Sequence, residues 1–294
     1  MPSLKEIRNR LTSVSSTRQI TSAMKMVSAA KFRKAQDAIV SFRPYANILE
    51  KIIGRLGDNM SDQSDSPYFA KRQLNKVMII VVSSNKGLCG SFNTNVIKAS
   101  RLLAEEKYPE QMAAGKIDFF FIGKKAADVY KARRWPVAGV VSDLVDKTNR
   151  DKNWAFAEKL MEQFRSKEYD AIELVYNKFK NAAVQHITTE TFLPLTLPET
   201  NEKPEKYRKN YIFEPDVNSI LEELVPFVLK TKIHKVIIDS IASEHGARMT
   251  AMHKATDNAT QLLYDLRLSY NKARQAAITN EILEIVTGAN ALKG

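Results

Sequence analysis

Four groups of residues have the types and spacing to do chemistry. The first is the loop Ser83–Asn93, SSNKGLCGSFN, which follows an apolar run (VMIIVV) and precedes a helix-forming stretch. An α/β fold binds phosphate at that place, on backbone N–H groups at a helix start. Its glycines, Gly87 and Gly90, are three apart and match neither G-x-x-x-x-G-K-[ST] nor G-x-G-x-x-G. A tight strand-to-helix turn or a protein contact suits the spacing better than a nucleotide. The second group is Glu281 and Glu284, one helical turn apart. Paired carboxylates do acid–base work inside a cleft; on an exposed helix they are solvated or touch a partner. The third is His245 and His253, eight apart on one helix and accompanied by no ligand set, so a metal site is not expected. The fourth is the basic set Lys25, Lys31, Arg33 and Lys34, which could grip phosphates. These cations are spread around their helix, and only Phe32 and Phe42 offer the aromatic faces on which single strands stack.

The elements that must position these groups begin with the C-terminal run from about Pro226 to Leu292. Its positions His234, Ile238, Ile241, His245, Arg248, Met252, Ala255, Ala259, Leu262, Leu266, Ser269, Ala273, Ala276, Asn280 and Leu283 alternate steps of four and three. That is the period of a coiled-coil seam. A helix of this length would reach roughly 100 Å, deeper than a core of this size, so most of it should project as a rod. The seam is apolar near Leu262 and Leu266, which should hold it to a partner helix, and small or polar elsewhere.

Residues 3 to about 56 read as a second long helix. Ser3 and Glu6 have capping-box spacing, and Leu4, Ile7, Leu11 and Val14 begin an apolar stripe. Pro44 should kink this helix or mark its turn. Between the two helices the grammar changes. Lys76–Ser84 is an apolar run of the kind buried on both faces of a sheet. Helix-like stretches at Asn93–Lys107, Lys124–Lys131 and Asn153–Ser166 alternate with strand-like ones at Ile117–Ile122, Val137–Val141, Ala171–Phe179 and Val184–Leu195. The last two should form a hairpin at the sheet edge. Lys203–Lys209 reads as a charged loop, Tyr211–Pro215 as an extended piece, and a short helix should run from Val217 to Pro226. The fold class is α/β: a long antiparallel coiled coil of N- and C-terminal helices with an inserted Rossmann-like open α/β domain. The expected divisions are 1–57 for the first helix, 58–74 for a linker, 75–215 for the α/β domain and 216–294 for the last helix.

Charge narrows the function. The chain is +12 overall, and +8 of that lies between Met1 and Arg55, while Asp216–Gly294 is neutral. A basic arm implies an acidic or phosphate-bearing partner. Cys89 is the only cysteine, so no internal disulfide and no cysteine-rich metal site is expected. No apolar run reaches the roughly 18 residues that span a bilayer, and the charged start MPSLKEIRNR has no secretory core. On these residues several readings stay open: a coiled-coil rod that meets an acidic protein surface or anionic lipid, a nucleotide-binding α/β enzyme with a coiled-coil arm, and a basic coiled-coil nucleic-acid-binding protein.

Four segments carry a resemblance. Ile20–Gln36 (ITSAMKMVSAAKFRKAQ), the loop SSNKGLCGSFN, Ala242–Ala259 (ASEHGARMTAMHKATDNA) and Tyr270–Leu292 (YNKARQAAITNEILEIVTGANAL) occur in one order along the chain. It resembles the gamma subunit of the rotary, proton-translocating F-type ATP synthase. The resemblance implies a central rotor shaft inside the ring of alpha and beta subunits, its base on the membrane c-ring beside the epsilon subunit. Proton flow would turn the shaft and cycle the catalytic beta sites. The chain itself would be non-catalytic, without cofactor, nucleic acid or direct membrane insertion. By the same resemblance Met24 and Lys25 lie near acidic loops of beta. Arg274, Gln275, Thr279, Glu281 and Glu284 contact the beta catch loop or stabilise the rotor. Arg248 is coupled to the Met24 region, and Lys86, Gly87 and Cys89 belong to a segment near beta at the collar. Chloroplast members carry a regulatory cysteine pair that a lone Cys89 cannot form. The methionine start favours a bacterial protein, peripheral on the cytoplasmic side of the inner membrane.

Overall fold

A computed structural model describes residues 3–57, 67–70, 72–146, 148–195, 214 and 217–291. Residues 58–66 and 71 of the expected 58–74 linker, the loop Lys203–Lys209, and the expected piece Tyr211–Pro215 apart from Glu214 lie outside these residues. The chain divides into two compact units: Ala29–Arg248, and the pair of terminal segments Met1–Ser28 and Met249–Gly294.

In the larger unit a five-stranded sheet has the order β3-β2-β1-β4-β5. Its strands are β1 (Val77–Val82), β2 (Ile117–Ile122), β3 (Gly139–Val141), β4 (Ala171–Phe179) and β5 (Gln185–Leu193). The first four are parallel, and β5 returns antiparallel to β4 as the expected edge hairpin. Helices α2 (Phe92–Lys107), α3 (Pro109–Ala113), α4 (Lys124–Ala132) and α5 (Arg150–Arg165) connect them. The run VMIIVV is buried throughout because its two-residue period serves two cores. Val77, Ile79 and Val81 pack with Val96 and Ala104 of α2 and with Ala126 and Tyr130 of α4. Met78, Ile80 and Val82 belong to the opposite core, with Phe156, Leu160 and Phe164 of α5.

That second core is completed by the two long helices, α1 (Leu4–Gly57) and α6 (Val217–Ala291). Ile39, Leu49 and Ile53 of α1 and Val225, Leu229, Ile233 and Ile237 of α6 are all buried in it. The helices run antiparallel here. Glu50 accepts from Lys235 at 2.8 Å, Arg43 donates to Asp239 at 2.7 Å, and Phe32 lies beside Gly246. Two local expectations change. Helix α1 continues through Pro44, and α6 through Pro226, so no separate short helix precedes it. A proline forfeits one backbone hydrogen bond, but the burial of Val225, Val228 and Leu229 around Pro226 outweighs that loss. Helix α5 starts three residues before the expected Asn153, because the Asn149 side chain accepts from the N–H groups of Asp151 and Lys152. At the start of α1 the cap is half of the expected box. Ser3 Oγ accepts from the Glu6 N–H at 3.2 Å, but the Glu6 carboxylate pairs with Arg10 instead.

The smaller unit is a two-helix antiparallel pair. Arg8 donates to Tyr270 Oη at 3.0 Å, Thr256 Oγ1 to Thr21 Oγ1 at 2.9 Å, and Lys25 Nζ lies 3.5 Å from His253 Nδ1. The residue numbers of each pair add to nearly the same value, the signature of antiparallel register. The seam slips from its expected line. Met252, Ala259 and Leu263 are buried, while Leu262 is 48% exposed. A helix of 3.6 residues per turn drifts off a strict 3.5 repeat within two heptads, and Leu263 takes over.

Candidate functional site

In the larger unit the chemistry-bearing residues meet at the loop after β1. The Ser84 N–H donates to Asn93 Oδ1 at 3.0 Å, and Asn93 Nδ2 donates back to Ser84 Oγ at 2.8 Å and to Cys89 Sγ at 3.2 Å. Ser84 Oγ donates to the Lys86 carbonyl at 2.7 Å. The loop is thus closed on itself by side chains of its two ends. Across it lies Arg248 of α6. Its Nη2 donates to the Lys86 carbonyl at 2.8 Å, its Nε and Nη2 reach the Gly87 carbonyl at 3.3 Å, and its Nη1 pairs with Glu244 at 2.7 Å. A phosphate cradle needs converging N–H groups. Here carbonyls converge on a guanidinium, so the loop is built to be held rather than to hold an anion.

The loop presents one side chain outward. Leu88 is 66% exposed and sits at φ +62°, a left-handed conformation that leucine seldom adopts. Gly90 follows at φ +60°. Cys89 points the other way: it is buried, and burial raises its thiol pKa. Lys86 is exposed, Gly87 half-buried. Sequence reasoning singled out Lys86, Gly87, Cys89 and Arg248, and the structure brings them together. It passed over Leu88, whose signal was its position between two glycines, and Glu244, whose signal was its i,i+4 spacing to Arg248 on one helix face.

A polar cavity of about 70 Å³ opens beside this clamp, lined by Lys31, Asn85, Lys86, Asp146, Glu244, His245 and Arg248. Burial first, then Arg248 and Lys31, push the His245 imidazole down to about 4. Burial pushes Glu244 up, against the pull of Arg248. An unfolded histidine titrates near 6.5, so between 6.5 and 4 the unfolded chain binds more protons at this position. Stability contributed by neutral His245 is therefore lost as pH falls through that window, at up to about 1.4 kcal/mol per pH unit, less for a ring that still meets water. Glu244, with its raised pKa, acts in the opposite direction. The expected result is that thermal stability falls more steeply from pH 6.5 to 4 in the wild type than in His245→Gln. Parallel slopes would count against the buried imidazole.

In the smaller unit Met24 and Lys25 are half-buried on α1, with Lys25 facing His253. The tail residues Arg274, Gln275, Thr279, Glu281 and Glu284 lie where α6 has outrun its partner. Every residue from Arg274 to Asn290 is exposed. Thr279 Oγ1 donates to the Gln275 carbonyl of its own helix at 2.9 Å. Glu281 and Glu284 have no ion-pair partner among the described residues, so they face solvent rather than a cleft. The same segment exposes Ile278, Ile282, Leu283, Ile285 and Val286. Among the described residues there is no cluster of metal-ligating side chains, and no helix is long and apolar enough to cross a membrane.

A family model described as ATP synthase matches residues 3–292. The chain is 53% identical over 295 residues to the ATP synthase gamma chain of Flavobacterium psychrophilum, covering all of both. The chain belongs to the ATP synthase gamma chain family. The gamma chain of Christiangramia forsetii is 50% identical, again over the whole of both chains. Gamma chain architecture also extends beyond sequence. A chain of the Euglena gracilis mitochondrial ATP synthase (OSCP/F1/c-ring, rotational state 3) superposes with a TM-score of 0.66 at 22% identity, over 98% of this chain and 94% of that one. At that identity the likeness speaks for the fold.

Proposed function

We propose that this chain is the central shaft of the F1 sector of a rotary ATP synthase. Its bare helical end would turn within the ring of alpha and beta subunits, and its α/β unit would rest with the epsilon subunit on the membrane c-ring. The observation that carries this reading is the segment Arg274–Asn290. A lone helix of this length is marginal in water, and its apolar residues are uncovered on every side. It suits a sleeve that supplies the missing contacts. The small and polar seam of the helix pair, Thr21 against Thr256 and Ala259 beyond, suits the same role. Contacts of that kind are made and broken cheaply by a shaft that meets several similar surfaces in turn.

The chain is a subunit of the complex, and we read it as non-catalytic. The loop that an α/β enzyme would use for phosphate is occupied by Arg248, and the carboxylates Glu281 and Glu284 stand on an open helix. Met24 and Lys25 would meet acidic loops of beta, a charge contact that steers without deep burial. Arg274, Gln275, Thr279, Glu281 and Glu284 would bear on the beta catch loop, and Lys86, Gly87 and Leu88 would face beta at the collar, with Cys89 packed beneath. The chain would lie peripherally at the membrane, on the cytoplasmic face of a bacterial inner membrane, in keeping with the bacterial relatives.

Co-purification decides the reading. Tagged chain expressed in its host is expected to bring down alpha and beta subunits; a preparation free of both would refute it. Tight stoichiometric binding of ATP to the isolated chain would point instead to a nucleotide-using enzyme. A further expected result concerns Met24→Lys. The added charge on a half-buried helix face should lower proton pumping per ATP hydrolysed while changing unfolding free energy by only about 0.5 kcal/mol. Unchanged pumping efficiency would remove Met24 from the coupling surface.

A further inference from the structure

Strand β4 outruns its parallel neighbour. Its pairing with β1 ends at Val81–Val175, yet β4 continues to Phe179. The carbonyls of Asn177 and Phe179 lie past the reach of β1, and the long helices supply their donors. Ser243 Oγ of α6, wholly buried, donates to the Asn177 carbonyl at 2.9 Å, and Arg43 of α1 donates to the Phe179 carbonyl. Toward the start of α6, Lys232 Nζ donates to the Thr191 carbonyl of β5 at 2.8 Å. Burial lowers the Lys232 pKa, the mark of an amine that has given up most of its water. At the hairpin turn α6 comes closer still. A Cβ on Gly246 would stand 3.2 Å from the Ala182 carbonyl oxygen and 3.4 Å from the Ala182 Cα. Phe32 of α1 closes the other side, meeting Phe179 edge-on at 5.6 Å. From Lys232 to Gly246 these contacts follow about 20 Å of α6. A buried carbonyl needs some donor, and water or the hairpin's own side chains would serve. Here all three donors come from the long helices.

We propose that the β4–β5 hairpin is a splint that fixes the α/β unit in rotation to the long helices, with Ser243, Lys232 and Gly246 as its positioning residues. The inference rests on the rotor reading, since only a shaft under torque needs such a splint. Apolar packing is non-directional and resists sliding poorly. Hydrogen bonds fix an alignment, because they weaken steeply off their line. Ties at separated points along one helix resist twist where a single tie would act as a pivot. Because the acceptors are backbone oxygens, the alignment does not depend on the hairpin's own side chains.

The test uses the assembled F1 sector carrying the full chain, its ring fixed to glass and a rod fixed to the α/β unit through Lys131→Cys, an exposed position. With the rotor stalled by Mg-ADP, the angular variance of the rod reads torsional stiffness. The double variant Ser243→Ala/Lys232→Met is expected to raise that variance at least twofold, with ATP hydrolysis by the same F1 unchanged. A disulfide formed through Ala182→Cys/Gly246→Cys in the double-variant background, oxidised before the rod is attached, is expected to return the variance to the wild-type value. Should the double variant assemble poorly, Ser243→Ala alone is expected to show a smaller rise. Unchanged variance overturns the proposal. A rise that the disulfide does not reverse, or one accompanied by lost hydrolysis, is general loosening and overturns it as well. Wild-type rods that fail to turn when ATP is added overturn the rotor reading itself, whereas rods that turn, with stiffness unaltered in the variant, overturn the splint alone.

Discussion

Replacing Arg248 by alanine is expected to destabilise the chain by about 3 kcal/mol or more. The guanidinium is buried and meets Glu244 and the carbonyls of Lys86 and Gly87. Removing it leaves Glu244 as a buried carboxylate without its cation, in a place where burial already raises its pKa. It also strips two loop carbonyls of their donor. Breaking such a pair from one side costs far more than the pair is worth, because the survivor cannot recover its water. The double variant Arg248→Ala/Glu244→Gln should therefore recover part of the loss, and a double-mutant cycle in urea measures how much. The loop supplies an independent readout. Without the clamp, Leu88 has less to hold it in its left-handed conformation, and amide exchange at Leu88 and Cys89 should rise by more than tenfold. A cost below about 1 kcal/mol with unchanged exchange would mean that Ser84 and Asn93 hold the loop unaided.

The second large effect is expected at Arg43→Ala, again about 3–5 kcal/mol. Arg43 joins α1 to α6 by donating to Asp239, and it also donates to the Phe179 carbonyl of β4. Asp239 is 1% exposed and its Oδ2 has no hydrogen-bond partner. Burial already pushes its pKa up, with Arg43 pulling it down. Removing Arg43 lets it rise further. A carboxyl with a folded pKa above its unfolded value near 3.9 binds more protons folded than unfolded. The stability it allows is present at low pH and lost as pH rises through that interval. The deficit of Arg43→Ala is thus expected to be smaller near pH 4 than at pH 7. Chemical denaturation at the two pH values checks it; an equal deficit at both would locate the damage in packing rather than in the stranded carboxylate.

How much of this was legible beforehand depended on how many residues shared each signal. The sheet was readable because β1, β2 and β4 are apolar runs with helices of matching period between them, and burial demands that pattern. Helix α3 was not, because five residues starting at Pro109 make little more than one helical turn, too few for an apolar position to recur. The boundary at Pro226 failed because a local rule about proline competes with the burial of a whole helix face, which only tertiary structure reveals. The seam was right in kind and off by one residue at Leu262, since small drifts accumulate along a long helix. At the candidate site, Arg248 and the loop were visible as unusual residues in long unbroken patterns. Their partnership was not: Arg248 and Lys86 are 162 positions apart, and nothing local in either announces the other. Leu88 looked like an ordinary leucine until its backbone angle and exposure were known.

The antiparallel pairing of the two termini bears on how the chain is made. Arg8 and Tyr270 touch across 262 positions of sequence. Translation delivers α1 first and its partner last, at about 5–20 residues per second, so the wait is on the order of 10–50 s. Through that interval the stripe led by Ile7, buried in the finished fold, has nothing to pack against. The helix pair therefore closes late in synthesis, whereas the α/β unit receives its sheet earlier, and nascent α1 is the part that a chaperone would have to shelter.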